Sequence, residues 1–277
     1  MPHRQSLPAS FQLVLLLWIF GSMSIPTAGA QSADPSTARI YRLTPAATYE
    51  HGCFAPCMCP VVQSSGVRGV FRLTHTGFDG LFDHYTVTDL NWRITVGTST
   101  LTVTGSGTYR IGGEVAIQQE LSLDLKVGDV PVEHYDSGLV VGRGSFPAID
   151  IEISVHGRYC LDTVFEVHAR PLMRIGVAGG SVQWDAMPEA TGYDIVQGDL
   201  SILRLTHGDF SAATTVCVAN DRAGTSAPIT GAPLPGRAFW FLGRDIQGSA
   251  NGTYDSDDAG EMGSSDAGIT ASPAHCP

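Results

Sequence analysis

Ser181 to Leu205 reads SVQWDAMPEATGYDIVQGDLSILRL. A Trp closes a short apolar strand, a bend containing Pro188 follows, and Gly192-Tyr-Asp-Ile-Val196 begins a second strand. Leu200 to Leu205 (LSILRL) reads as a third apolar strand that starts almost at once. Short apolar strands joined by tight bends are the core of a small β-sandwich. The stretch sets a fold class and a module boundary, with Met173 opening the second module (173–277) after Pro171 interrupts the preceding strand pattern. It names no activity.

On the N-terminal side, residues 39–172 read as β almost throughout. Ile117 to Val127 (IQQELSLDLKV) is apolar at every odd position except Gln119, and Ile149 to Val155 (IDIEISV) alternates without a break. A period of two puts one face in a core and one in water. Tyr85 to Val96 changes phase, and one extra residue near Asp89 restores the faces, so a bulge is expected there. Leu101 to Ile111 is interrupted by Gly105 and Gly107. The expected fold is all-β: an N-terminal antiparallel β-sandwich or barrel, with the choice left open, followed by a second sandwich.

The second module carries a resemblance. Ser181-Val-Gln-Trp184 and Ala190-Thr-Gly-Tyr193-Asp-Ile195 resemble the B and C strands of a fibronectin type III module, with Phe239-Trp-Phe241 in the place of its strand F. More closely, GYDIVQGDLSILRL, GDFSAATTVCVAN, FWFLGRD and NGTYDS…GSSDAGI look like a variant module at the C-termini of exported bacterial proteins. The resemblance implies that Trp184 packs between two sheets; it implies no established function, and a spacer or docking unit is the reading given to the module. Cys217, Cys276 and an acidic segment near the last strand depart from the common pattern.

Residues 1–30 read as a signal peptide: Arg4, an apolar run Leu13 to Phe20, and Ala28-Gly-Ala30 as the cleavage site. The run is shorter than the ~20 residues that span a bilayer, so a membrane span is not expected. Gln31 to Ala38 is a small, polar, flexible leader. Export removes Arg4 and no acid, so 16 basic and 27 acidic residues become 15 and 27, a net charge of 15 − 27 = −12. Lys126 is the single lysine. Such a surface argues against nucleic acid and anionic membranes as partners; the partner is open, a protein or glycan surface being compatible with it.

Six cysteines in an exported chain read as disulfides. Cys217 and Cys276 share the second module and are expected to pair. Among the other four, Cys59–Cys160 is the expected long-range bridge and Cys53–Cys57 the local one. His51, Cys53, Cys57 and Cys59 also make a soft ligand set for zinc or copper, but the spacing fits no common zinc site and a disulfide-tied loop is the simpler reading. Asp255, Asp257, Asp258 and Asp266 follow part of a calcium loop. Ala259 stands where a ligand is needed, and a solvated acidic turn is the simpler reading, so calcium is a weak cofactor candidate and no other is expected. Asn251-Gly-Thr253 matches a glycosylation acceptor.

The first module holds His75, His84, His134, His156 and His168, some of them near Asp79, Asp83, Glu133 and Asp136, but His-Glu-x-x-His and Gly-x-Ser-x-Gly are both absent. The reading is an exported, disulfide-stabilised, non-catalytic binding or structural protein. The alternatives are a hydrolase or metal-dependent enzyme with an unfamiliar site in the first module, and a carrier of an apolar ligand if that module is a hollow barrel. The surroundings of His84, His134 and His156 discriminate among the three.

Overall fold

A computed structural model describes residues 38–59, 61–258, 260–261 and 263–277. The signal peptide and all but the last residue of the leader lie outside them.

Ten strands form the first module: β1 (Arg39–Leu43), β2 (Thr48–Cys53), β3 (Val62–Phe78), β4 (Phe82–Val96), β5 (Ser99–Gly112), β6 (Gln118–Val127), β7 (Glu133–Asp136), β8 (Val140–Val141), β9 (Ile149–Ser154) and β10 (Leu161–Pro171). All pairings are antiparallel; β2 to β7 pair in sequence order, β7 pairs on to β9, and β10 pairs with β9 on one side and with β1 and β2 on the other. The sheet is therefore a closed barrel. β1 and β2 share one stave between β3 and β10, and β7 and β8 share another against β6, so the barrel has eight staves.

Parity decides what fills it. Leu121, Leu123, Leu125 and Val127 of β6 and Ile149, Ile151 and Ile153 of β9 are all buried in one cluster. Trp92 lies at the centre, with Phe71 at 6.1 Å and Phe165 at 5.6 Å between ring centroids, and Tyr135 continues the chain from Phe165 at 5.4 Å. An interior of eight strands is just wide enough to be filled by side chains. Trp92, Phe71, Phe165 and Tyr135 are no more than 2% exposed, so the barrel is a packed core. The outward positions of β5 are Thr100, Thr102, Thr104, Ser106 and Thr108, all exposed.

The expected bulge is present: the register between β4 and β5 shifts between Val87 and Leu90, and Asp89 takes φ 51°. The Gly105 and Gly107 interruption has a steric cause. A Cβ at Gly105 would meet the Asp124 carbonyl oxygen at 2.1 Å, and one at Gly107 the Ser122 oxygen at 2.0 Å.

Gln119, the odd member of the β6 pattern, closes the barrel. β7 and β9 pair only at Asp136 and Ser154. Gln119 is buried, accepts a hydrogen bond from the Tyr109 hydroxyl at 3.1 Å and donates to the Asp150 carbonyl of β9 at 2.6 Å. Gln119→Leu keeps the shape and strands both partners in the core. The expected loss is ~1–3 kcal/mol in a urea-unfolding measurement; an unchanged midpoint and slope would contradict this role.

The disulfides are Cys53–Cys59, Cys57–Cys160 and Cys217–Cys276. The first two correct the expected Cys53–Cys57 and Cys59–Cys160. The chain reverses after β2, with Cys53 N–H bonded to the Val61 oxygen at 3.0 Å, so Cys59 returns to Cys53. Cys57 is left facing the β9–β10 turn, where the Cys160 oxygen accepts from Phe54 N–H at 2.7 Å.

The sheets change between Pro171 and Ile175. β11 (Ile175–Ala178), β12 (Ser181–Trp184) and β15 (Ser226–Pro228) form one sheet; β14 (Thr214–Ala219), β13 (Gly192–Asp199), β16 (Phe239–Gln247) and β17 (Ala250–Asn251) form the other. Trp184 is buried and meets Tyr193 of the facing sheet at 5.9 Å. Leu200–Leu205, read as a strand, is helix α1. The Asp199 carboxylate accepts from Ser201 N–H at 2.7 Å and Ile202 N–H at 3.3 Å, and that N-cap turns the chain into a helix that buries none of its residues. Helices α2 (Phe210–Ala213) and α3 (Ser265–Ala271) cover the other face of β13: Val196 packs with Ile269 and Phe210 there. β13 is thus buried on both faces. Its Asp194 is compensated by Arg244, two of whose nitrogens lie 2.9 and 2.8 Å from one carboxylate oxygen. Cys217–Cys276 ties the chain after α3 to β14.

Candidate binding surface

The three discriminating histidines stand in three separate places. On the β3–β4 hairpin, His84 Nε2 lies 2.8 Å from Asp79 and His75 Nε2 lies 2.9 Å from Asp83. The Phe82 N–H first, then the His84 ring and the Leu81 N–H, hold the Asp79 carboxyl below the usual carboxylate range. His156 sits on the β9–β10 turn, 3.5 Å from Asp162. That carboxylate is buried and spent on the N–H groups of His156, Arg158 and Thr163.

His134 has the most suggestive neighbours. Its Nδ1 is 2.8 Å from Asp124 and its Nε2 is 3.4 Å from the Ser122 hydroxyl. These are the contacts of a nucleophilic serine site. The setting is wrong for the chemistry. Ser122 and Asp124 point outward from β6 on the convex wall, and the His134 and Asp124 side chains are 61% and 65% exposed. Water screens such a pair, and an outward strand face aims no backbone N–H groups at a developing oxyanion.

Glu50, Glu152 and Glu166 converge on Arg158, at 2.8, 2.7 and 3.4 Å. Burial first, then the neighbouring Glu152, raises the Glu166 pKa. Arg158 fills the space among the carboxylates and stacks over Phe54, 4.9 Å from the ring centroid. The cluster fastens the disulfide loop to the wall.

The four calcium candidates do not converge. Asp255 accepts from Ser265 N–H at 2.7 Å and its hydroxyl at 2.6 Å; Asp266 lies in α3 and accepts from Tyr254 N–H at 2.8 Å; Asp258 accepts from Gly260 N–H at 2.8 Å. The Asp257 N–H is taken by Glu261 at 2.8 Å. Among the described residues, no three His, Cys, Asp or Glu side chains are grouped to hold a metal. Cys53, Cys57 and Cys59 are consumed as disulfides, which removes the zinc or copper set.

One end of the barrel carries a feature that motif reading missed. The β3–β4 tip presents Phe78 and Leu81, the β5–β6 tip Val115 and Ile117, and the 137–148 segment Val141 and Phe146. Val115 is 100% exposed, Val141 63% and Phe78 62%. The three segments are stitched side by side: Gly113 N–H donates to the Leu81 oxygen at 3.1 Å and Gly142 N–H to the Ile117 oxygen at 3.0 Å. Phe146 leans on Tyr85 at 5.6 Å and Tyr109 at 6.3 Å, which gives the rim a rigid floor. Burial and the Asp83 charge push the Tyr85 phenol up to about 12, so that floor stays uncharged. The nearby arginines are occupied, Arg110 by Glu120 and Arg143 by Glu166. Asp79, Asp83 and Glu114 remain as an acidic fringe.

Three disulfides fit an oxidising, extracytoplasmic environment. No helix among the described residues is long and apolar enough to cross a membrane. Compared with protein-family models, with curated proteins and with solved structures, the chain has no match in any of the three.

Proposed function

We propose that this is an exported, disulfide-stabilised, non-catalytic binding protein, and that its barrel docks a protein partner through the rim at the 78–82, 112–118 and 137–148 end. The observation that carries this is the contrast between a polar wall, a filled interior and a contiguous exposed apolar rim. Exposed apolar groups that adjoin one another mark interaction sites more often than scattered ones do. The acidic fringe sets the partner's chemistry: an apolar patch bordered by Lys or Arg, since opposite potentials steer encounter. The carrier reading loses its basis because side chains occupy the interior. The second module is a fibronectin type III-like spacer in this reading; its three-on-four sheet order and the seat of Trp184 against Tyr193 support that.

The test is photo-crosslinking in the exporting cell, with the crosslinker at Val115 or Val141 and, as control, at Thr104 on the wall. A discrete product from the two rim positions and none from Thr104 is expected. The same pattern from all three would refute the rim as the site.

A further inference from the structure

We infer that the two modules are held together by an electrostatic latch, in which the acidic residues Asp255, Asp257 and Glu261 cover an arginine patch on the barrel wall, and that the latch opens with salt. Both modules belong to one compact unit. Arg68 and Arg93 are direct register partners on β3 and β4, and Arg42 and Arg170 are direct partners on β1 and β10. Like charges placed opposite one another destabilise a sheet. Two such pairs side by side, in a chain with 16 basic residues against 27 acidic, call for a compensating charge.

That charge comes from the second module. Arg42 Nη1 donates to the Asp255 carbonyl at 2.6 Å, Arg93 Nη2 to the Asp257 carbonyl at 3.5 Å, and Arg170 Nη2 to the Glu189 carboxylate at 3.1 Å. Elsewhere, arginines such as Arg72, Arg110, Arg158, Arg174 and Arg244 each take a carboxylate. On the patch, Arg42, Arg68 and Arg93 have no carboxylate within 4.0 Å among the described residues. Arg68 and Arg93 face Asp255, Asp257 and Glu261 across a cleft of about 330 Å³.

The segment keeps its own shape: Glu261 accepts from Ser256 and Asp257 N–H, and Asp255 from Ser265. It therefore presents a preformed acidic surface. The connection is short. Leu172 N–H still bonds the Ile40 oxygen of the barrel at 2.8 Å, while the Arg174 oxygen already accepts from Asp185 N–H of the sandwich at 3.1 Å, which leaves Met173 as the joint. A second cleft, of about 170 Å³, opens beside the joint between Arg42, Met173 and Asp255. An interface with clefts and polar contacts relies on charge more than on packed apolar area, and such interfaces permit relative motion. Screening lengths fall from about 10 Å at 0.1 M salt to about 3 Å at 1 M.

The full exported chain is measured by small-angle scattering and by tryptic cleavage at Arg174, from about 0.05 M to about 1 M NaCl. The radius of gyration is expected to rise with salt, and cleavage to quicken about tenfold. Arg68→Glu with Arg93→Glu should give the open values already at low salt, and adding Asp257→Arg with Asp258→Arg should restore the closed ones. Near-ultraviolet circular dichroism reads whether the barrel of each variant is folded. A radius and cleavage rate indifferent to salt would overturn the latch. So would a folded Arg68→Glu, Arg93→Glu chain that stays closed, or reversed charges that fail to rescue it.

Discussion

Leu123→Asp leaves no folded barrel. Leu123 is 1% exposed at the middle of β6, and its neighbours on the same face are Leu121 and Leu125. Losing a buried Leu side chain costs ~2–5 kcal/mol. A carboxylate placed there with no partner adds several kcal/mol after relaxation. Domains have only ~5–15 kcal/mol in total. The near-ultraviolet signal of the barrel aromatics should vanish at neutral pH. Ser122→Asp, one residue along on the wetter face, should leave it intact. Wild-type melting of Leu123→Asp would contradict the facing of β6 and with it the packed core.

Cys57→Ser with Cys160→Ser is the second large effect. Their bond spans 103 residues, and chain-entropy reasoning assigns a loop of that length about 4.7 kcal/mol. For a chain of this size the melting temperature should fall by roughly 10–20 °C. Cys53→Ser with Cys59→Ser removes a bond of separation six and should cost about half as much. Peptide mapping should find Cys57 joined to Cys160. A Cys59–Cys160 peptide, or equal losses from the two pairs of substitutions, would contradict the loop geometry.

The periodicity of β6 and β9 was readable because each has one face in the core and one in water. The change of phase at Asp89 was readable for the same reason. Gln119 was visible as an exception, but its reason lies in β9, which it bridges from β6, and no local pattern encodes that. Closure into a barrel depends on β9 and β10 meeting across the sheet, and both sandwiches and barrels share the same alternation. LSILRL has the composition of a strand. Asp199, one residue before it, is an N-cap whose side chain bonds Ser201 and Ile202, and that local signal outweighs the apolar run. The cysteine pairing failed because it follows from the reversal between Cys53 and Val61, which spacing does not fix. The four aspartates looked like a calcium loop because their spacing is short; in the fold Asp255, Asp258 and Asp266 each accept a backbone N–H instead, and Asp257 gives its own N–H to Glu261. The rim leaves a faint trace in GFDGLF, GGEVAIQ and SGLVVGRGSF, where apolar residues stand among glycines at turns that would ordinarily be polar. Motif searches pass over it because it is made from three separate connections.

The apolar rim is the proposed binding site. The most direct measurement is the affinity of the exported chain for the partner captured at Val115, compared with that of Val115→Asp, Val141→Asp. Both side chains point into water, so the melting temperature should hold. Two charges placed at the centre of a desolvated contact should weaken binding by at least about a hundredfold, the scale of hot-spot losses near 2–4 kcal/mol. Equal affinities for the two proteins would contradict the account.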